Sequence, residues 1–134
     1  MTGSCHCGAV HVTLNKAPDY VNLCNCTLCS KSGGAWGYFA PDEVKVTGTT
    51  KAYRRCDYES PAVEIQFCPE CGNTTHWTTT ENIDEDRMGV NMRLFEPAEV
   101  KGIEVRTLDG RNWTGHTAAA HLRPVGRLGE DVFL

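Results

Sequence analysis

The chain has no long apolar run. Its uninterrupted hydrophobic stretches are only a few residues, too short for a membrane-spanning helix. It has no basic excess either: 13 Lys and Arg against 17 Asp and Glu leave a formal net charge of −4. That argues against a general nucleic-acid binder, because phosphate contacts need clustered cations. The opening residues, Met1-Thr2-Gly3-Ser4-Cys5, lack the basic stretch and apolar core of a signal peptide. The expected location is therefore cytoplasmic, where thiols stay reduced and favour metal over disulfides. Helical patterns are scarce, and repeats and low-complexity segments are missing.

What remains is 134 residues, 40% hydrophobic and 22% charged, the make-up of one globular domain, 1–134. Its core should be adequate but not large, so a structural metal would add useful stability. Short runs alternate with period two: Val10, Val12 and Leu14; Val44 and Val46; Val63, Ile65 and Phe67; Met88, Val90, Met92 and Leu94; Ile103 and Val105. Such alternation predicts half-buried strands of antiparallel sheets. Turn residues separate them, as at Ala40-Pro41-Asp42, Thr47-Gly48 and Leu108-Asp109-Gly110. A helical turn is expected from Thr27 to Lys31, stopped by Gly33-Gly34, and another is expected to begin at Glu96-Pro97-Ala98-Glu99. Residues 81–86 read as a solvated acidic loop, and 111–134 as an extended tail over the surface.

The chemistry lies in cysteine. Seven of the eight fall into three tight groups: Cys5-x-Cys7, Cys24-x-Cys26-x-x-Cys29 and Cys68-x-x-Cys71. Thiols at such spacing converge on metal ions. Four thiolates close a tetrahedral zinc site and hold a fold; three leave one corner open for a substrate atom. Cys68-Pro69-Glu70-Cys71-Gly72 resembles a zinc knuckle, and Cys5-His6-Cys7-Gly8 offers a second thiol pair followed by glycine. Pairing these two gives a structural four-thiolate site; Cys24, Cys26 and Cys29 then form an open one. Spacing alone leaves another partition standing, in which Cys5 or Cys7 completes the middle group.

Cys56 stands apart beside Arg54 and Arg55. It reads as a small side chain in a strand, or else as a redox thiol. His6, His76, His116 and His121 are alternative ligands or bases whose simpler reading is structural. Trp36, Tyr38 and Phe39 read as core residues that can also wall a pocket beside the three-cysteine metal. An iron–sulfur cluster in the triplet is a third reading of the thiols, separable from zinc by colour.

Taken together, Gly3-Ser4-Cys5-His6-Cys7-Gly8-Ala9-Val10, Cys24-Asn25-Cys26-Thr27-Leu28-Cys29 with Gly33-Gly34-Ala35, Phe67-Cys68-Pro69-Glu70-Cys71-Gly72 and 90–95 resemble the glutathione-dependent formaldehyde-activating enzymes, a domain also found in centromere protein V. The resemblance spans about residues 3 to 110. It implies a mainly β, β-tent-like zinc scaffold of short strands with little helix. It implies two zinc ions per chain: a structural one on Cys5, Cys7, Cys68 and Cys71, and a catalytic one on Cys24, Cys26 and Cys29. Where the family's middle motif often has His and an acidic residue, this chain has Asn25 and Leu28, neither of them a ligand.

The implied activity is that of a carbon–sulfur lyase of the S-(hydroxymethyl)glutathione synthase type, whose partners are glutathione and an aldehyde. Lys31, Arg54, Arg55 and Arg93 are candidates to pair with the carboxylates of such a thiol. The competing class is a non-enzymatic zinc scaffold that binds a protein partner.

Overall fold

In a computed structural model the described residues are 1–113 and 123–134; His116 and His121 lie outside them. The fold is mainly β. Among the described residues there are eleven strands and two short α-helices. The strands are β1 (Thr2–Ser4), β2 (His11–Leu14), β3 (Tyr20–Cys24), β4 (Trp36–Phe39), β5 (Val44–Thr47), β6 (Lys51–Arg54), β7 (Val63–Phe67), β8 (Thr74–Thr79), β9 (Met88–Asn91), β10 (Glu104–Leu108) and β11 (Arg123–Arg127). The helices are α1 (Thr27–Ser32) and α2 (Pro97–Val100).

Two sheets form. The smaller has the order β1-β2-β5; the larger runs β11-β10-β3-β4-β9-β8-β7-β6. Period-two alternation sets which residues meet between them. Val12 and Leu14 of the small sheet face Val21, Phe39, Met88, Val90 and Val105 of the large one, and these join one buried cluster with Met92, Phe95, Val100 and Leu128. A second small cluster holds Cys5, Val10 and Cys68.

The other face of the large sheet is built differently. Registers place Tyr20, Asn22 and Cys24 of β3 beside Trp36 and Tyr38 of β4, then Gly89 and Asn91 of β9 and Trp77 of β8. Gly89 is required there: a Cβ would stand 2.0 Å from the Trp77 indole nitrogen. Aromatic and polar side chains thus gather on the face away from the aliphatic core.

Several elements depart from the sequence expectation. The pair β3–β10 is parallel, because alternation specifies a face and not a direction. The run 88–94 is strand only to Asn91, whose side chain accepts the Arg93 N–H at 3.3 Å and turns Met92–Leu94 into a single 3-10 turn. Within the expected tail, Arg123–Arg127 pairs antiparallel with β10 as the edge strand, and Leu128 behind it is buried. Cys56 is not in a strand: it is exposed in the bend after β6, 3.5 Å from the Tyr53 hydroxyl that donates to it. The expected helical turns both form, as α1 and α2, and Gly33 closes α1 with φ 68°.

Candidate functional site

The knuckles meet through two left-handed glycines. Gly8 (φ 77°) donates its N–H to Cys5 O, and Gly72 (φ 76°) donates to Cys68 O. Each turn bends the chain back so that its two thiols point the same way. Asn73 ties the turns together: its Oδ1 accepts the His6 N–H at 2.7 Å. The outcome is that the sulfurs of Cys5, Cys7, Cys68 and Cys71 all lie within 4.8 Å of one another. Cys5 and Cys7 are 3.6 Å apart at sulfur, and Cys7 and Cys68 3.7 Å. Ligands about 2.3 Å from a tetrahedral zinc stand about 3.8 Å from each other, so these spacings fit that ion. The sulfurs also receive N–H donors, as thiolates need: Val10 N–H reaches Cys5 Sγ at 3.2 Å. The backbone N–H of Asn73 is the main cause that pulls Cys71 down to about 6.

The triplet is assembled locally. Cys24 ends β3, Cys26 caps the N-terminus of α1, and Cys29 lies one turn further on. Their sulfurs, too, lie within 4.8 Å of one another, and among the described residues no fourth His, Cys, Asp or Glu joins them. Donors again surround the sulfurs. Cys26 N–H points to Cys24 Sγ and Cys29 N–H to Cys26 Sγ, both at 3.4 Å. The Trp36 indole N–H donates to Cys29 Sγ at 3.3 Å. Hydrogen bonding among the three thiols moves their acidities in opposite directions. Hydrogen bonds from Cys24 and then Cys29 pull Cys26 far below the usual thiol range, with the Arg55 charge assisting. The same contacts push Cys29 up, Cys24 first. Both sets are thiolate-friendly clusters that fit a soft divalent ion.

Two loops hold the triplet in place. Asn25 Nδ2 donates to Asp109 Oδ1 at 2.9 Å, and Arg111 N–H donates to Asn25 Oδ1 at 3.0 Å. That anchors the turn after β10 over the cluster. Gly110 there allows the contact, since a Cβ would stand 2.4 Å from Cys24 Sγ. On the other side Arg55 forks onto Asp57 at 2.7 and 2.8 Å, while Thr27 Oγ1 donates to Asp57 at 2.6 Å. This clamps the first turn of α1 to the bend after β6, and the Arg55 guanidinium and Thr27 hydroxyl hold the Asp57 carboxyl well below the usual range.

The other expected groups fall elsewhere. His6 is exposed between its neighbours, and His76 is buried on the opposite face, its Nδ1 3.0 Å from the Thr75 hydroxyl. Neither joins a cysteine cluster. Arg54 is engaged by Glu64 and Glu81 and Arg55 by Asp57. Sequence reasoning missed Asn22, Gly110 and Arg87. Asn22 is 1% exposed; its Nδ2 donates to the Tyr38 hydroxyl, and its Oδ1 has no hydrogen-bond partner. Leaving such a buried oxygen unpaired costs about 1–3 kcal/mol. A polar residue inside an otherwise apolar strand run was its one available signal.

A mainly β scaffold carrying two thiol clusters, one closed with four sulfurs and one with three, defines a class of small metal-binding proteins. The family model for glutathione-dependent formaldehyde-activating enzymes matches residues 1–106, and the chain belongs to that family. A protein of Halomonas elongata described as a putative glutathione-dependent formaldehyde-activating enzyme is 33% identical over 82 residues, covering 54% of this chain and 52% of that one. The chain thus spans about half the length of that curated relative. A Rhodobacter sphaeroides protein of known crystal structure superposes with a TM-score of 0.58 at 25% identity, covering 72% of this chain and 88% of that one. Among the described residues no helix is long and apolar enough to cross a membrane.

Proposed function

We propose that this chain is a zinc-dependent carbon–sulfur lyase of the S-(hydroxymethyl)glutathione synthase type, joining a thiol such as glutathione to formaldehyde or a related aldehyde. The observation that carries this reading is the three-sulfur cluster, which has no fourth donor among the described residues. Residues 1–134 act as one domain in a reducing, cytoplasmic setting, in keeping with eight free cysteines. Cys5, Cys7, Cys68 and Cys71 would hold a structural zinc, and Cys24, Cys26 and Cys29 a catalytic one. Bound at the three thiolates, zinc would supply an open position that keeps a visiting thiol deprotonated at neutral pH.

The balance is simple. The substrate sulfur forms a bond to the aldehyde carbon, the carbonyl pair moves to oxygen, and oxygen takes the proton that the thiol gave up. In reverse the carbon–sulfur bond breaks. The chain's own groups prepare this. Trp36 and the backbone N–H groups of Cys26 and Cys29 fix the ligand sulfurs, and Arg55 sets positive charge beside Cys26. Burial pushes Tyr38 up to about 12, so it keeps its proton at neutral pH. Its oxygen accepts from Asn22 Nδ2, which ties β4 to β3 two residues before Cys24. Holding thiol and aldehyde together supplies the rest of the acceleration.

The test is hydroxymethyl exchange between formaldehyde and glutathione, followed by NMR. Wild-type protein should accelerate it, and Cys26→Ser should fall to the uncatalysed rate. Equal rates with wild type, variant and buffer alone would remove the enzymatic claim and leave a zinc scaffold.

A further inference from the structure

Upstream of Cys24 on the same face of β3 come Asn22 and Tyr20, with Tyr38 across on β4. The Tyr20 and Tyr38 rings meet edge to face at 5.7 Å, and Trp77 lies 6.0 Å beyond Tyr38. A cavity of about 180 Å³ opens at this end of the face, lined by Asp19, Tyr20, Tyr38 and Arg87. The Arg87 guanidinium lies over the Tyr38 ring, 4.1 Å from its centre. It forms no ion pair among the described residues, and neither does Asp19. So one cation and one anion, neither in an ion pair among the described residues, and two phenol rings surround one small hollow.

That set complements an α-amino-acid head group. A guanidinium takes a carboxylate through paired N–H donors, and a carboxylate takes an ammonium. We propose that this hollow seats the zwitterionic end of the thiol substrate, whose sulfur goes to Cys24, Cys26 and Cys29. This inference rests on the function proposed above and narrows its substrate class to peptide-like thiols with a free α-amino-acid terminus. Tyr20 and Cys24 are four residues apart on one strand, roughly 13 Å along it. Sulfur and head group must therefore sit at opposite ends of an extended molecule. Free cysteine, with both on neighbouring carbons, is too short. Asn22 stands midway: its Nδ2 is fixed on the Tyr38 hydroxyl that walls the hollow, and its Oδ1 is a buried acceptor without a partner.

A sulfur-free probe separates this seat from the chemistry. Zinc-loaded, isotope-labelled protein is titrated with γ-glutamyl-alanyl-glycine and with the same peptide acetylated at its α-amine. Saturable NMR shifts are expected at Asp19, Tyr20, Tyr38 and Arg87. Acetylation, Arg87→Met and Asp19→Asn should each weaken binding about tenfold or more, the worth of one charge-assisted hydrogen bond. The acetylated arm needs no variant to fold. Equal binding of both peptides, or shifts that miss the hollow, overturns the seat whatever the exchange assay shows. Conversely, a filled hollow with no hydroxymethyl exchange sinks the enzymatic reading and keeps the seat.

Discussion

Single atoms decide how well the triplet holds a metal. Gly110 leaves room for Cys24 Sγ where a Cβ would come within 2.4 Å of sulfur and 3.2 Å of the Cys26 Cβ. Gly110→Ala should therefore weaken zinc at the triplet by roughly 10- to 100-fold, as losses next to a metal ligand do. The four-sulfur site should keep its affinity. Chelator competition resolves the two phases, and unchanged affinity in the weaker phase would refute the steric argument. At this scale the cysteine groups themselves were legible, since their tight spacing is read directly from the chain; their assembly into one set of four and one of three was not. Gly110 was legible only as a turn residue. Its contact with Cys24 depends on a loop more than eighty residues away, which no local pattern encodes.

Elements differ in what they would owe to a bound metal. The β7–β8 knuckle is joined to the chain's start through Asn73 and the four sulfurs, so losing that ion frees both ends of a long loop. Cys68→Ser should abolish cooperative thermal unfolding, while Cys26→Ser, in a cluster built by one local segment, should unfold cooperatively like wild type. Calorimetry of both variants checks this. The strand β8 also carries a titrating group. Burial holds His76 down to about 4, against an ordinary value near 6.5. Below the ordinary value the unfolded chain takes up a proton that the folded chain refuses until about pH 4. Stability contributed by neutral His76 is thus lost as pH falls through that window. Between pH 7 and 5.5 the zinc-saturated protein should lose about 1 kcal/mol more than His76→Gln in urea denaturation; parallel losses would show that His76 is not the group. Alternation made β2, β5, β7, β10 and the first half of β9 legible. It missed β3, β4 and β8, where aromatic, polar and glycine residues replace the aliphatic pattern because that face of the sheet carries the site.

For the whole molecule, the C-terminal segment closes the fold. Leu128 is 2% exposed and joins the same cluster as Val12 and Val105. Leu128→Ala should cost about 3 kcal/mol by denaturant titration, a large loss for a segment that reads as a surface tail; a cost within error of zero would restore the tail reading. Sequence by itself determined the three thiol groups, the mainly β class and the family, because those rest on residue type at short spacing; which groups share a cluster was decided by the fold. Only tertiary structure decided that β3 pairs in parallel with β10, that Trp36 donates to Cys29, and that Asp19, Tyr20, Tyr38 and Arg87 share one hollow. Those contacts are made across strands distant in the chain, where pairing direction and register, not local composition, fix which side chains become neighbours.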